Sequence, residues 1–522
     1  MQASNQCRPA GFRASCRTGH PITVLAAGLV ALSMLSCAGL DPASVEISQG
    51  LVIRDVTVVN TQDGTLRSGM AVVMDGGSIR QISPNREVRL TGTAQAVDGA
   101  GKYLVPGYLD MHTHALSAAD QQPAYWPLLV ANGVTGIREM AGSAALIQRA
   151  RQLNAERAAG RLLAPEVLQV PGDLIGGAPS AAVAERMVQK HKADGADFVK
   201  VVGGSREVVL AVLAEATRQG LGVAGHLPLA VSSGDAAQAG WRAIEHLGSG
   251  IGMLLDCADD EARIRRALLN GEGAMPVLSP EAIVSPMLSR SLDAPFYQQA
   301  LDSHSPTRCQ GLATATAQSG TWQVPTLIRL RTMHHSADAA YRNDPNLAYV
   351  DKTRRALWDK LGQQFAATVP ASAATTFSQY YAAQLRFVGR LQNSGAKLLA
   401  GSDLGGIWII PGFGLHQEFA ELASAGLSPL QVLQATTLNG AMFLGRQATM
   451  GTVGVGKVAD LVLLDANPLL AVANLGKIAG VVLNGRYLGA AELDRMKREV
   501  ADAYSRQPLK NLASAFDATH VH

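Results

Sequence analysis

Six residues of this chain have side chains and surroundings suited to holding a metal ion and moving a proton. His112 and His114 stand one residue apart in "VPGYLDMHTHA", after an apolar run and a Pro-Gly pair. On a strand, residues two apart share a face, so both imidazoles would point the same way and could share one cation at about 2.0–2.1 Å per nitrogen. Alone, such a pair is equally well two polar residues in a loop. Lys200 ends the apolar run "DFVK". A buried ammonium there carries a large desolvation cost unless its charge is paired or removed, and the bland alternative is a lysine whose head reaches solvent. His226 in "VAGHLP", His246 in "AIEHL" and Asp403 in "LLAGSD" close short apolar runs in the same manner. Each by itself could be a hydrogen-bonded core residue. Together, at the ends of successive strands, they are much harder to dismiss.

The elements that must position them can be read from the periodicity. Between about residues 103 and 444, short apolar runs alternate with longer helix-like stretches, the pattern of a parallel α/β architecture. Eight strands are expected, in "YLVPGYLDMHTH", "GVTGIREM", "EVLQVPG", "DFVKVV", "GVAGHLP", "AIEHLGS", "WQVPTL" and "KLLAGSD". Eight such units predict a (β/α)8 barrel over residues 105–444, with chemistry at the C-terminal ends of the strands. Two connections, 250–321 and 328–396, far exceed an ordinary crossover and read as insertions forming a lid or substrate rim. The second contains Phe377, Tyr381, Leu385, Val388 and Leu391 at helical spacing, a core-packing stripe. Before the barrel, "LVIRDVTVVN" and "AVVMDGGSIRQIS" alternate around turn signals, and the texture returns in "GTVGVGKVADLVLLDANPL" and "IAGVVLNGRYL". This predicts one small β-sandwich domain assembled from two pieces, 37–104 and 445–490, followed by a C-terminal helix and tail over 491–522.

Composition narrows the class. With 47% apolar and 17% charged residues the chain can build a large core, and a net charge of +3 over 522 residues without a basic block excludes a nucleic-acid surface. The first 36 residues differ in character. Arg8, Arg13 and Arg17 precede an apolar stretch from Ile22 to Leu35, which has the length of a signal-peptide core and is short for a membrane span. "MLSCAGL" then places Cys37 where a lipoprotein signal is cleaved and its cysteine lipidated; plain cleavage and secretion is the alternative. The expected location is therefore outside the cytoplasm, periplasmic or in the cell envelope, with the membrane engaged only through this anchor. Cys257 and Cys309 either pair in an oxidising compartment or remain two separate buried thiols.

These motifs resemble the amidohydrolase superfamily, in particular its imidazolonepropionase-like and prolidase-like members. The resemblance rests on "PGYLDMHTH", "GVTGIREMAG", Lys200, His226, "IEHL", "AGSD", "GLHQEFAELASAGLSPLQVLQATTLNGAMFLG" and "GTVGVGKVADLVLLD", and runs from about residue 51 to 488. It implies two divalent metal ions, zinc foremost. His112 and His114 would hold the more buried ion, His226 and His246 the second, and Lys200, carboxylated by carbon dioxide, would bridge them as a carbamate. Asp403 would ligate the first ion and, beside a bridging hydroxide, act as general base and then general acid. The implied activity is hydrolysis of an amide-type C–N bond in a small-molecule substrate, a dipeptide or N-acyl amino acid. The other enzymatic reading is a mononuclear deaminase or cyclic-amide hydrolase with an unmodified Lys200; a non-catalytic barrel scaffold is disfavoured because every expected ligand is present.

The sequence departs from its relatives after the fifth strand. His226 is followed by Leu227, Pro228 and Leu229, so the glutamate that shuttles protons in mononuclear deaminases is missing, as is the second histidine frequent in prolidase-like members. Among other polar residues, Arg138 in "GIREM" is a candidate for a substrate carboxylate or for an ion pair with Glu139 or another barrel acid. His416 in "GFGLHQEF" begins the helix after strand eight and is a candidate contact near the site. His191, His334 and His335 read as surface histidines.

Overall fold

The computed structural model describes residues 44–118, 124–248, 250–274 and 280–510. The expected signal segment, Cys37 and the last twelve residues lie outside the described residues. Seven parallel strands fall into two sheets. One has the order Glu166–Gln169, Val134–Glu139, Tyr108–Thr113; the other runs Phe198–Val201, Gly222–Gly225, Ala243–Glu245, Trp322–Val324. Isolated parallel bridges link their edges, Pro171 with Phe198 and Ile175 with Val201 on one side, Gln323 with Leu398 and Thr113 with Leu404 on the other. The expected eighth strand is thus reduced to bridges, but the segment still hydrogen-bonds both neighbours: Leu399 N donates to Gln323 O and Met111 N to Ala400 O, each at 2.9 Å.

Between these strands run helices whose first turns are closed by serine. Ser143, Ser180, Ser205 and Ser305 each accept a hydrogen bond from the backbone N–H three residues on, satisfying a donor the helix cannot. The predicted strand "YLVPGYLDMHTH" is two strands in two sheets. Tyr103–Pro106 pairs with Leu461–Leu464 and with Thr57–Val58, whereas Tyr108–Thr113 lies in the parallel array. Gly107 is the joint, and a Cβ there would sit 2.1 Å from Thr135 Oγ1, so only glycine fits.

Segments from the N- and C-terminal parts of the described residues meet in a sheet of eight strands. Its order is Arg486–Gly489, Ile478–Leu483, Leu461–Leu464, Tyr103–Pro106, Leu51–Val59, Leu66–Asp75, Ser78–Pro84, with Gln95–Asp98 paired to Leu51–Val59. Leu51 and Ile53, then Val56 and Val58, all face one core with Met70, Val72 and Met74. The change of parity is made by a bulge after Ile53, where Asp55 takes φ 55°. The opposite face carries Val52, Ala71 and Val73 against Val88, from the two-stranded pair Val45–Ile47 and Val88–Leu90. The larger core joins Ile53, Val72 and Ile79 to Leu461, Leu463 and Val482 of the C-terminal strands.

The insertions are helical. The second holds Lys352–Thr368 and Ala371–Asn393, and in the latter Phe377, Tyr381, Val388 and Leu391 are buried as their spacing predicts. Val284 of the first insertion, Tyr341, Leu357, Trp358 and Leu361 of the second, and Ile407, Trp408 and Ile410 beyond Asp403 make a separate apolar core. Two histidines expected at the surface are buried instead: His191 packs over Gly172, and His334 lies among Tyr297, Phe377 and Tyr380. His335 is half-buried, edge-on to Tyr381. No helix among the described residues is long and apolar enough to cross a membrane.

Cys257 and Cys309 are joined as a disulfide across 52 residues of the first insertion, which resolves the alternative left by the sequence. His304 lies close to both sulfurs. Because a long loop is closed, replacing both cysteines by serine should lower stability by about 2–4 kcal/mol. Parallel thermal melts of the native and doubly substituted proteins, with and without dithiothreitol, check this; reductant should shift only the native protein.

Candidate metal centre

The six candidate residues arrive from five places along the parallel array. His112 and His114 stand on and just beyond Tyr108–Thr113, Lys200 lies within Phe198–Val201, and His226 and His246 directly follow the strands Gly222–Gly225 and Ala243–Glu245. Asp403 lies in the bridging segment, its N–H bonded to His112 O at 2.8 Å. His112, His114, Lys200 and Asp403 are buried, and His226 and His246 partly so.

The ligand atoms of His112, His246 and Asp403 all lie within 4.8 Å of one another. Asp403 Oδ1 is 3.3 Å from Nε2 of both His112 and His114, and Oδ2 is 3.9 Å from His246 Nε2. His226 packs edge-on to His246 with ring centroids 5.0 Å apart. His112 Nε2, the nitrogen that faces Asp403, is buried without a hydrogen bond, the condition expected of a nitrogen awaiting a cation. The residues therefore fit a metal.

The tautomers fit too. His112 Nδ1 is 2.8 Å from Glu245 Oε2, a carboxylate that accepts its hydrogen bond and leaves Nε2 to face Asp403. His246 Nδ1 is 2.5 Å from Thr326 Oγ1, whose own hydrogen goes to Pro325 O, so the ring donates here and its Nε2 is left as a ligand.

Burial sets most of the proton affinities. It drives His226 and His246 well below the usual imidazole range and His114 down to about 4, so these rings are neutral and able to ligate. For His112, burial is outweighed by the Asp403 and Glu245 carboxylates, and its pKa is raised. Asp403 is lowered well below its ordinary value because His112 and His246 outweigh its desolvation. Burial brings the Lys200 amine down to about 8, within reach of the neutral form.

Backbone strain gathers here. His246, Leu247, Thr326 and Asp403 all have φ between 44° and 56°, a region costing non-glycine residues on the order of 1–3 kcal/mol each. The turn at His246 lets adjacent residues serve one centre: Glu245 points inward to His112, and His246 is folded back toward Asp403. Gly401 makes the close approach possible, since a Cβ there would lie 2.8 Å from His112 Cβ.

Several functional residues escaped the sequence reading. Glu245 is fully buried between His112 and Arg138, whose Nη2 is hydrogen-bonded to Glu245 Oε1 and whose Nε donates to Met111 O at 2.7 Å. Of the expected alternatives Arg138 makes the ion pair, with Glu245 rather than Glu139. Asp110 accepts from Ser402 N at 2.9 Å and Ser402 Oγ at 2.6 Å, and burial raises it to about 6. It shares strand parity with His112 and His114, a signal the sequence did carry. Arg329 Nε is 3.1 Å from Asp403 Oδ2. His416 is away from the centre: it opens the helix Phe413–Ser424 as expected, but contacts Asn132 O at 2.9 Å and packs against Tyr108 and Phe419.

Residues 380–488 match the model of the Amidohydrolase family. The fold resembles the bottromycin amidohydrolase with a TM-score of 0.65 and 21% identity over 88% of this chain and 93% of that one. It also resembles a Xaa-Pro dipeptidase with bound methionine in its active site, at 0.55 and 17% over 85% and 100%. Curated relatives match in part. An adenine deaminase 3 of Rhizobium johnstonii is 27% identical over 38% of this chain and 35% of its own length. An N-acetylglucosamine-6-phosphate deacetylase of Lysinibacillus sphaericus is 34% identical over 16% and 22%. The chain spans 14% to 35% of the lengths of the curated relatives it matches. The family match is confined to residues 380–488, and the likeness over the rest of the chain is one of fold.

Glu245→Gln should leave Arg138 buried without a counter-charge and weaken the anchor of His112. The expected cost is on the order of 3–5 kcal/mol in denaturant unfolding, with metal affinity falling roughly 10- to 100-fold in calorimetric titration. An unchanged zinc affinity would refute the anchoring role.

Proposed function

We propose that the chain is a metal-dependent hydrolase of amide-type C–N bonds that holds two divalent ions, zinc foremost, at the ends of one (β/α)8 barrel formed by its two parallel sheets. The observation that carries this reading is the convergence of His112, His246 and Asp403 within one ion's reach, with His114 against Asp403 and His226 against His246. His112, His114 and Asp403 would hold one ion, and His226 and His246 the other. Lys200 would be shared, as the carbamate formed when its neutral amine adds carbon dioxide. Ions so held lower the pKa of a water and polarise a carbonyl. Asp403, with Oδ1 toward the histidine pair, would take the proton of the attacking water and deliver it to the leaving amine.

For the substrate we propose a dipeptide or N-acyl amino acid, a reading supported by the likeness to a Xaa-Pro dipeptidase. The partial matches to adenine deaminases favour a second reading, a mononuclear deaminase. Leu227, Pro228 and Leu229 speak against it, since none can shuttle a proton. We place the protein outside the cytoplasm, anchored through Cys37; the Cys257–Cys309 disulfide suits an oxidising compartment. Metabolic labelling with a fatty acid, absent from Cys37→Ala, tests the anchor.

The deciding measurement is the metal content of protein produced with zinc and bicarbonate, together with hydrolysis of a panel of dipeptides, N-acyl amino acids and adenine. Close to two ions per chain and turnover of an amide support the hydrolase; one ion and adenine turnover establish the deaminase instead. Lys200→Ala should lose activity and metal, with partial recovery in a small carboxylic acid. Asp403→Asn should retain much of its metal while turnover falls by about 10²- to 10⁴-fold.

A further inference from the structure

Arg329 is used by neither the fold's core nor the ligand set, yet it is 6% exposed and all of its nitrogens are engaged. It belongs to the helix Leu327–His334, which follows the seventh strand and starts at the strained Thr326. The start of that helix is held twice, by Glu418 Oε2 accepting from Ile328 N at 2.7 Å and by the Thr326 hydroxyl against His246. Arg329 Nε lies 3.1 Å from Asp403 Oδ2, whereas Nη1 donates to Val284 O at 2.8 Å and Nη2 to Ile283 O at 2.6 Å. Gly406 leaves the room, since a Cβ there would stand 2.6 Å from Nη1.

One guanidinium therefore joins two parts of the molecule that are distant in sequence. With Arg329 on Oδ2, the carboxylate is turned so that Oδ1 faces His112 and His114. The two carbonyls belong to the first insertion, at a point where Val284 enters the apolar core shared with Leu357 and Trp358 of the second. Ile407 N also reaches Val284 O, at 3.3 Å. If the insertion lifts, two buried N–H groups lose their acceptors, a state that costs far more than a solvated bond. The guanidinium must then turn toward water, and Asp403 loses its restraint.

We propose that Arg329 is a positioning residue that makes the orientation of Asp403 conditional on the seating of Ile283 and Val284. The inference rests on the reading of the six residues as a metal centre. Linkage makes the coupling reciprocal: a cation drawn to Asp403 tightens the insertion, and loosening the insertion weakens the cation's hold.

The test uses zinc alone as the probe on the full chain, with calorimetric affinity and amide hydrogen exchange over residues 281–289 as readouts. In the native protein, zinc should slow exchange there by about fivefold or more. Arg329→Lys and Arg329→Gln should still bind zinc, because the ligands remain, but zinc should no longer change that exchange. Leu357→Ala, which loosens the apolar core without touching Asp403, should weaken zinc binding several-fold in the native background and have no effect beside Arg329→Lys. Equal zinc-dependent protection in the Arg329 variants, or additive effects of Leu357→Ala and Arg329→Lys on affinity, would overturn the coupling. Failure of the native protein to bind zinc would instead remove the metal-centre reading, and the inference with it.

Discussion

A fully buried carboxylate, Glu245, sits between a fully buried guanidinium and an imidazole, and the candidate centre is organised around it. Arg138 supplies the charge that allows Glu245 to stay ionised without solvent, and burial that would raise the acid is outweighed by Arg138 and His112. Its proton affinity is lowered, so it accepts from His112 Nδ1 and leaves Nε2 for Asp403. Three strands are tied by this one group: Tyr108–Thr113 through His112, Val134–Glu139 through Arg138, and Ala243–Glu245 through Glu245 itself. In a dry interior the arrangement has little freedom to relax, because moving any member leaves another charge unpaired.

Around that axis the chain accepts local strain in exchange for convergence. Four residues in the left-handed region lie at the ends of the sixth, seventh and eighth segments of the array; His246 is hydrogen-bonded to one of the others, Thr326, and its Nε2 stands 3.9 Å from Asp403 Oδ2. The serine-capped helices and the core that contains Val199, Ile244 and Leu398 are regular by comparison. Above the strand ends the two insertions add their own apolar core, and Arg329 connects it to Asp403. The disulfide lies within the same first insertion, so the segment that reaches Arg329 is covalently bounded as well as packed.

Much of this was legible before any coordinates. The alternation of apolar runs located all eight segments of the parallel array, and the helix carrying Phe377, Tyr381, Val388 and Leu391 was visible in its spacing. The failures have physical causes. "KLLAGSD" reads as a strand, but Gly401 and the turn at Asp403 serve contact with His112 rather than ladder pairing. Arg138 was open to a substrate role because a sequence does not show which acid faces a guanidinium across a barrel. Glu245 was overlooked because strict alternation puts it opposite His246; the positive φ at His246 cancels that rule. Arg329 lies in a short, largely buried helix with no motif around it.

The sequence by itself determined the chemistry available and its order along the chain: an H-x-H pair, a lysine ending a buried run, two further histidines and an aspartate, each placed by hydrophobic periodicity at the end of a strand. Periodicity is local and survives in one dimension. Tertiary structure alone decided which residues face one another. It paired Glu245 with Arg138 and His112, gave Thr326 to His246, sent His416 away to Asn132, joined Cys257 to Cys309 and brought Arg329 from beyond the seventh strand to Asp403. These are contacts between residues tens to hundreds of positions apart, set by strand order, by turns that reverse the expected facing and by the exclusion of water, and none of those is written in the spacing of neighbouring residues.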